Sequence, residues 1–529
     1  MDKLPIVYCR GYAGPTSQID VTVDDPFYGF NDGATHVRVD GDGDPMFYQF
    51  EGPLLRLLTE QGYQFLVHGD QKRFLETTTG ALSPQSIWVH RFYDQFATTF
   101  TPQPKRNIFE KIGDAITHHL DDNGFDIERA ASELYDLVLH VIERTGAPAV
   151  NLVAHSMGGL VARCMMQKIC ETPDADGNAR RPAKEIVAKL FTYGTPHRGI
   201  VLTAGIANWA METFGTAGSD IFSPPKMYGY LTPGKTFGDT PDRGENWDPG
   251  VIPPDVFDVD HVFCLIGTDP ADYTLARVAV GPKSDGLVLI ENAYVVGAHR
   301  AYVFKSHSGR YGEVNSEEGY QNLARFLFGK WAVSLSFAGL PADTSSLGEN
   351  VSWQADMRLA IRGLPIVMSE QRAEHWCPIQ LNAEITKKPD SPDSPVPIVG
   401  TFLFQKEPPD APASDKEVLS RYALSLRVYH IVFDKGGFDF SDHLEQVSDW
   451  SDTLIIDVGD LGQGFGGWYA WNSELPGAID SIDRMPNQLQ LAPADGGTFA
   501  ATVGLPEVAR SLPVFAPNGA LRVTTRNRG

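Results

Sequence analysis

Val150-Asn151-Leu152-Val153-Ala154-His155-Ser156-Met157-Gly158-Gly159 places one serine at the end of an apolar, β-branched run, with two glycines close behind it. The residues before the serine read as a short buried strand, whereas Leu160, Val161, Cys164 and Met165 after it recur at helical spacing. Ser156 therefore falls on a strand-to-helix turn. Such a turn lifts the hydroxyl clear of the sheet edge, and its tight backbone calls for small neighbours, here Ala154 and Gly158. Ser156 is the candidate nucleophile. The backbone N–H of Met157, at the start of the new helix, is the candidate donor to a developing oxyanion.

This context, Ala-His-Ser-Met-Gly-Gly, resembles the nucleophile elbow of α/β-hydrolase lipases and esterases, in the variant where alanine replaces the first glycine. Two further blocks are similar to the same family. Leu4 to Cys9 reads as a strand that ends in Arg10-Gly11-Tyr12-Ala13-Gly14, and this resembles the His-Gly-x oxyanion loop, with Arg10 where many relatives carry histidine. The resemblance implies Tyr12 as the second oxyanion donor, through a backbone group that survives a change of neighbouring side chain. Phe191-Thr192-Tyr193-Gly194-Thr195-Pro196-His197-Arg198-Gly199 resembles the Gly-Thr-Pro-His segment after the next sheet strand, where His197 is expected to shape the pocket wall.

Chain order in this family is nucleophile, acid, histidine, so both partners must follow Ser156. Ser284-Asp285-Gly286-Leu287-Val288 resembles the acid-bearing motif of bacterial lipases and makes Asp285 the candidate acid; Asp269 and Asp272, closer to the end of the strand Val262 to Ile266, are the fallback. His299 and His307 flank Ala301 to Phe304, which reads as the last strand. Sites in open α/β sheets form outside the carboxyl ends of the strands, which favours His307 as base and puts His299 at the opposite edge. Asn315 reads as the N-cap of a closing helix carrying Tyr320, Leu323, Ala324 and Leu327, with Gly329 as C-cap.

With 529 residues the chain exceeds what one core usually holds. The expected architecture is an α/β-hydrolase fold over residues 1–332 with a lid insertion, followed by an all-β, sandwich-like domain over 333–529. Phe125 to Thr145 reads as an amphipathic crossover helix feeding the nucleophile strand. Residues 200–258 interrupt the alternation of strands and helices and are expected to form a cap, with Trp209 and Phe214 in the acyl-binding surface; an insertion of no functional weight is the alternative. After Lys330, Trp353, Ala355, Met357, Leu359 and Ile361 alternate with polar residues as in a half-buried antiparallel strand. Ile398 to Phe404, Tyr422 to Val428, Leu454 to Val458, Gln488 to Leu491 and Leu521 to Thr525 read as further strands. No catalytic constellation or known family is evident in this half.

The net charge of −23 argues against nucleic acid and anionic membrane surfaces as partners, and no apolar run is long enough for a transmembrane helix. The start of the chain lacks a signal peptide's apolar core, and five cysteines, an odd number, suit reduced thiols in a cytoplasmic protein; a mature exported form stays open. No cofactor is expected. Asp40-Gly41-Asp42-Gly43-Asp44 resembles part of a calcium loop, but proline follows where that loop needs glycine, so a solvated acidic turn is preferred to a calcium site at Asp40, Asp42 and Asp44. The expected partner is a small-molecule or lipid ester, cleaved through an acyl-enzyme on Ser156. A thioesterase or phospholipase using the same triad, and a non-catalytic binding or scaffold protein on a hydrolase fold, are the alternatives. Oligomeric state is not legible.

Overall fold

The computed structural model describes residues 3–9, 35–39, 45–49, 52–66, 71–90, 127–200, 221–236, 238–242, 246–270, 281–307, 312–341, 347, 350–382, 396–404, 420–432, 447–460, 465–475, 487–494 and 497–528. They form two compact units: one of Asp2–Arg300 and Lys305–Leu323, the other of Ala301–Phe304 and Ala324–Gly529.

The N-terminal part of the chain is α/β. Strands β1 (Ile6–Cys9), β4 (Ile87–His90), β5 (Val150–His155), β6 (Val187–Tyr193), β7 (Val262–Gly267) and β8 (His299–Val303) form a six-stranded sheet in the order β4-β1-β5-β6-β7-β8. β2 (Thr35–Val39) and β3 (Pro45–Gln49) pair separately as an antiparallel ribbon. Parallel strands covered on both faces need apolar side chains throughout, and β1 and β7 are buried along their whole length. Register sets the geometry of the site: Cys9 lies opposite Ala154 and His155 opposite Tyr193, so β1, β5 and β6 all end at one sheet edge.

The crossover helix is α2 (Ile127–Thr145), which follows α1 (Gly52–Gln61) in the chain. Ile127, Ala130, Ala131, Leu134, Leu137, Val138 and Val141 make its buried stripe. Gly146, at φ 67°, closes it by donating to the Ile142 carbonyl at 2.9 Å, the left-handed step that glycine makes at least cost. The closing helix spans Glu317–Phe328. Its cap is Ser316, whose hydroxyl accepts from Gly319 N–H at 2.9 Å, in place of the expected Asn315. Asn315 instead accepts from Gly52 N–H at 2.7 Å and ties down the start of α1.

Of the insertion expected over 200–258, the described part is anchored to α3 (Met157–Cys164) and the turn of π-helix that extends it, Met165–Ile169. Buried Arg163 donates to the carbonyls of His197 and Val251, and Lys168 to those of Gly229 and Lys235. The short helix α4 (Pro224–Leu231) buries Met227, Tyr228, Tyr230 and Leu231. Trp209 and Phe214, proposed above for acyl binding, lie outside the described residues, as do Asp40, Asp42 and Asp44.

The second unit is all-β. One antiparallel sheet runs Val367–Gln371, Val351–Ile361, Ser420–Val432, Trp450–Asp460, Phe465–Trp471, with Ile379–Gln380 also paired to Val351–Ile361; the other runs Val396–Leu403, Trp331–Ala338, Ala520–Asn527, Thr498–Gly504, Ala492–Ala494. Side chains from both sheets, among them Phe337, Trp353, Leu424, Trp471 and Val523, share one apolar core, as in a sandwich. Gln488 to Leu491 holds only a single bridge, Gln488 to Trp468, and the strand begins after it. The polar side of Val351–Ile361 is covered too: Gln354 and Asp356 are buried, bonded to Gln380, Tyr429, Arg427 and the Ala373 N–H. Alternation identified which side chains face the core but not that the opposite face would also be shielded. All five cysteines are buried and none forms a disulfide, and no described helix is long and apolar enough to cross a membrane.

Candidate active site

Ser156 stands between β5 and α3 with φ 53° and ψ −129°, a conformation that L side chains rarely adopt. The surroundings hold it there. Ser156 N–H donates to the Tyr193 carbonyl at 2.9 Å, and the Ser156 carbonyl accepts from the Thr195 hydroxyl at 2.9 Å and from Gly159 N–H at 3.0 Å. This explains the second glycine of the elbow: a Cβ at Gly159 would stand 2.2 Å from Thr195 Oγ1, so the helix packs against Thr195 only if that position is bare. Thr195, a landmark of the second block in sequence, is in space the clamp on the turn.

The loops after β7 and β8 deliver the other two groups to the same edge. Asp285 is 1% exposed; its Oδ1 accepts from the N–H groups of Leu287 and Val288 at 2.9 and 2.7 Å, which fixes the carboxyl's orientation. Its Oδ2 lies 2.8 Å from His307 Nδ1, and His307 Nε2 lies 2.8 Å from Ser156 Oγ. The structure thus brings Ser156, His307 and Asp285 into one hydrogen-bonded chain. The imidazole's backbone is fixed as well, since His307 N–H donates to the Asp285 carbonyl at 2.9 Å.

Asp269, the fallback acid, bonds Lys305 through its backbone; Asp272 lies outside the described residues. His299 opens β8 and faces Asp260 at 3.7 Å, away from Ser156, as the sheet-edge argument requires. Met157 N–H begins α3 beside the serine, whereas Tyr12 lies outside the described residues. His197 is fully buried, shares a hydrogen bond with Thr192 Oγ1 at 3.1 Å and lies against Cys264. Burial, and then the charges of Arg163 and Arg198, push its pKa well down, so it is neutral.

Two contributors escaped the sequence reading. His155 Nε2 lies 3.1 Å from the His307 carbonyl; a carbonyl only accepts, so this nitrogen carries the proton and steadies the histidine loop. Glu313 is fully buried beside the same imidazole. A ring nitrogen of His307, one of His155 and a Glu313 oxygen lie within 4.8 Å of one another, but both nitrogens of His307 are already engaged by Ser156 and Asp285. No motif marks Glu313: it is one acid in an acidic stretch, brought inward by the loop.

No family model matches the chain. Among solved structures it is similar to the lin2722 gene product of Listeria innocua, at 14% identity over 62% of this chain and 94% of that one, with a TM-score of 0.25. It is also similar to phospholipase PlaB from Legionella pneumophila, at 10% identity over 80% of this chain and 86% of that one, with a TM-score of 0.33. A second structure of PlaB, in complex with thio-NAD, gives 11% identity over 82% and 90%, with a TM-score of 0.31. Scores of this size carry no activity across, and the reading below rests on the chain's own residues.

Proposed function

We propose that the protein is a serine hydrolase of carboxylic esters, of esterase or lipase type, in which Ser156 is the nucleophile, His307 the general base and Asp285 the orienting acid. The observation that carries this reading is the continuous chain of 2.8 Å contacts from Ser156 Oγ through His307 to Asp285.

A serine hydroxyl is a weak nucleophile until a base removes its proton. As Ser156 Oγ attacks the ester carbonyl, His307 Nε2 takes the hydroxyl proton, and Asp285 holds the Nδ1–H tautomer and offsets the imidazolium charge. Carbonyl electrons move onto oxygen, which faces Met157 N–H and, by the resemblance of its loop, Tyr12 N–H. Collapse breaks the bond to the alcohol, which leaves with the proton from His307. Water then repeats the sequence on the acyl-serine, releasing the acid and restoring Ser156.

Thioester and phospholipid acyl bonds are open to the same chemistry, because pocket shape and not the triad selects among them. A series of p-nitrophenyl esters of rising acyl length, run beside emulsified triglyceride and phospholipid vesicles, separates these substrates. Trp209→Ala and Phe214→Ala are expected to depress long-chain turnover while sparing two-carbon esters. Labelling of Ser156 by an activated phosphonate tests the alternative of a non-catalytic scaffold. A chain that neither takes the label nor cleaves any ester in the series is not a serine hydrolase.

A further inference from the structure

Glu313 is fully buried, and neither carboxyl oxygen has a hydrogen-bond partner among the described residues. Two loop contacts hold it in place. Its N–H donates to the Ser306 carbonyl at 2.9 Å, and its own carbonyl accepts from the Ser316 hydroxyl at 2.7 Å. Gly194 supplies the room: a Cβ there would stand 2.2 Å from Glu313 Oε1, 2.9 Å from His307 Nδ1 and 3.1 Å from Asp285 Oδ2. All three polar atoms therefore border the one space that glycine leaves open at the end of β6.

Two carboxyl groups on the Nδ1 side of one imidazole cannot both be charged cheaply in a dry site. Hydrogen bonding decides between them. Asp285 has two backbone donors and the imidazole, while Glu313 has only the approach of the Gly267 backbone, so Glu313 is the carboxyl that keeps its proton. Burial, and then the neighbouring Asp285 charge, raise the Glu313 pKa well above the usual carboxyl range; the Gly267 backbone favours the anion without offsetting them.

We propose that Glu313 is a second, positioning acid of the site, held neutral behind the Asp285–His307 pair and able to take over the countercharge to His307 when the Asp285 carboxylate is removed. This rests on the serine-hydrolase reading above. In the takeover Glu313 releases its proton to water, its carboxylate moves into the space beside Gly194, and it accepts the hydrogen bond from His307 Nδ1. The groups that then face it are His307 and His155 at the end of β5.

The test compares Asp285→Ala, Asp285→Asn, Glu313→Gln, Asp285→Ala/Glu313→Gln and Ser156→Ala in the full chain, by turnover of p-nitrophenyl butyrate and by thermal melting. Glu313→Gln keeps a neutral side chain of the same size, so its cost to turnover should be far smaller with Asp285 present than in the Asp285→Ala background. Asp285→Ala should retain on the order of 10²-fold more turnover than the double variant, and its activity should rise at higher pH than the parent's, because Glu313 must first ionise. Asp285→Asn fills the vacated space and should be less active than Asp285→Ala, the reverse of what steric conservation alone would give. The proposal is overturned if Asp285→Ala melts normally yet is no more active than the double variant, or if Glu313→Gln costs as much with Asp285 present as without it. Full turnover by Ser156→Ala would instead overturn the hydrolase reading.

Discussion

Asp285 and Asp356 are both buried aspartates with a full set of donors, and they differ in the cation they face. Asp356, in the β-unit, accepts from the Ala373 N–H, the Tyr429 hydroxyl and the guanidinium of Arg427, the last at 2.6 Å. That partner is charged at every accessible pH, so the pair is neutralised permanently and can only hold structure. Asp285 faces the imidazole of His307, which under the proposed function gains positive charge only as it takes the serine proton. In that proposed reaction its charge is worth most in the transition state, which is what a catalytic arrangement needs. The lesson is that burial and satisfied hydrogen bonds do not mark a functional acid; a partner whose charge changes during the reaction does.

The sharpest break between the two sites is expected from Ser156→Ala. Turnover should fall by a factor on the order of 10⁴ to 10⁶ while the melting temperature holds, because the hydroxyl contributes to chemistry and little to packing. A fall below tenfold in a folded variant would remove Ser156 from the mechanism. Arg427→Met is the mirror case. Left uncompensated, Asp356 should destabilise the β-unit by about 2–3 kcal/mol, less than for a fully enclosed pair because Arg427 is partly exposed, while ester turnover per folded molecule is unchanged. Urea unfolding followed by tryptophan fluorescence measures the first, and active-site titration the second.

Gly159→Ala sharpens the comparison from the backbone side. The added methyl meets Thr195 and should cost about 1–3 kcal/mol, as overpacking does, together with much of the activity, since Thr195 clamps the Ser156 carbonyl. Adding Thr195→Ala should recover stability but not activity; if both return together, the clamp is unimportant.

The smallest effect is a pH dependence of stability. Burial pushes the pKa of His90, in the α/β-unit, and of His375, in the β-unit, from 6.5 down to about 4. Between those values the unfolded chain binds protons that the folded chain refuses, so stability is fully present above pH 6.5 and lost as pH falls toward 4. His90→Gln should flatten this acid limb in melts that report the α/β-unit, and His375→Gln in melts that report the β-unit. An unchanged slope would assign the acid lability to other groups.

The strand before Ser156, the turn and the helix after it were legible because burial on both faces, glycine at the bend and helical spacing leave local marks. The order of acid and histidine along the chain was legible through motifs that resemble one family. The choice of His307 over His299 needed only the rule that sites lie beyond the carboxyl ends of strands, and the structure puts His307, not His299, within reach of Ser156. Thr195 as the clamp, His155 as the support of the histidine loop and Glu313 behind the imidazole were not legible. Each acts through a contact between elements far apart in sequence, and nothing in its own neighbourhood distinguishes it from an ordinary threonine, histidine or glutamate. The covered polar face of Val351–Ile361 was missed for the same reason.

The sequence by itself determined where the parallel strands and the elbow fall and which three polar residues are suited to acyl transfer, because periodicity, glycine placement and side-chain chemistry are local properties. Only the tertiary structure decided that those three meet at 2.8 Å, that Gly159 must be bare because Thr195 lies over it, and that a second buried carboxyl stands beside the first. Those facts depend on which strand ends share a sheet edge and on how much water the packed loops exclude, and both are settled by long-range packing.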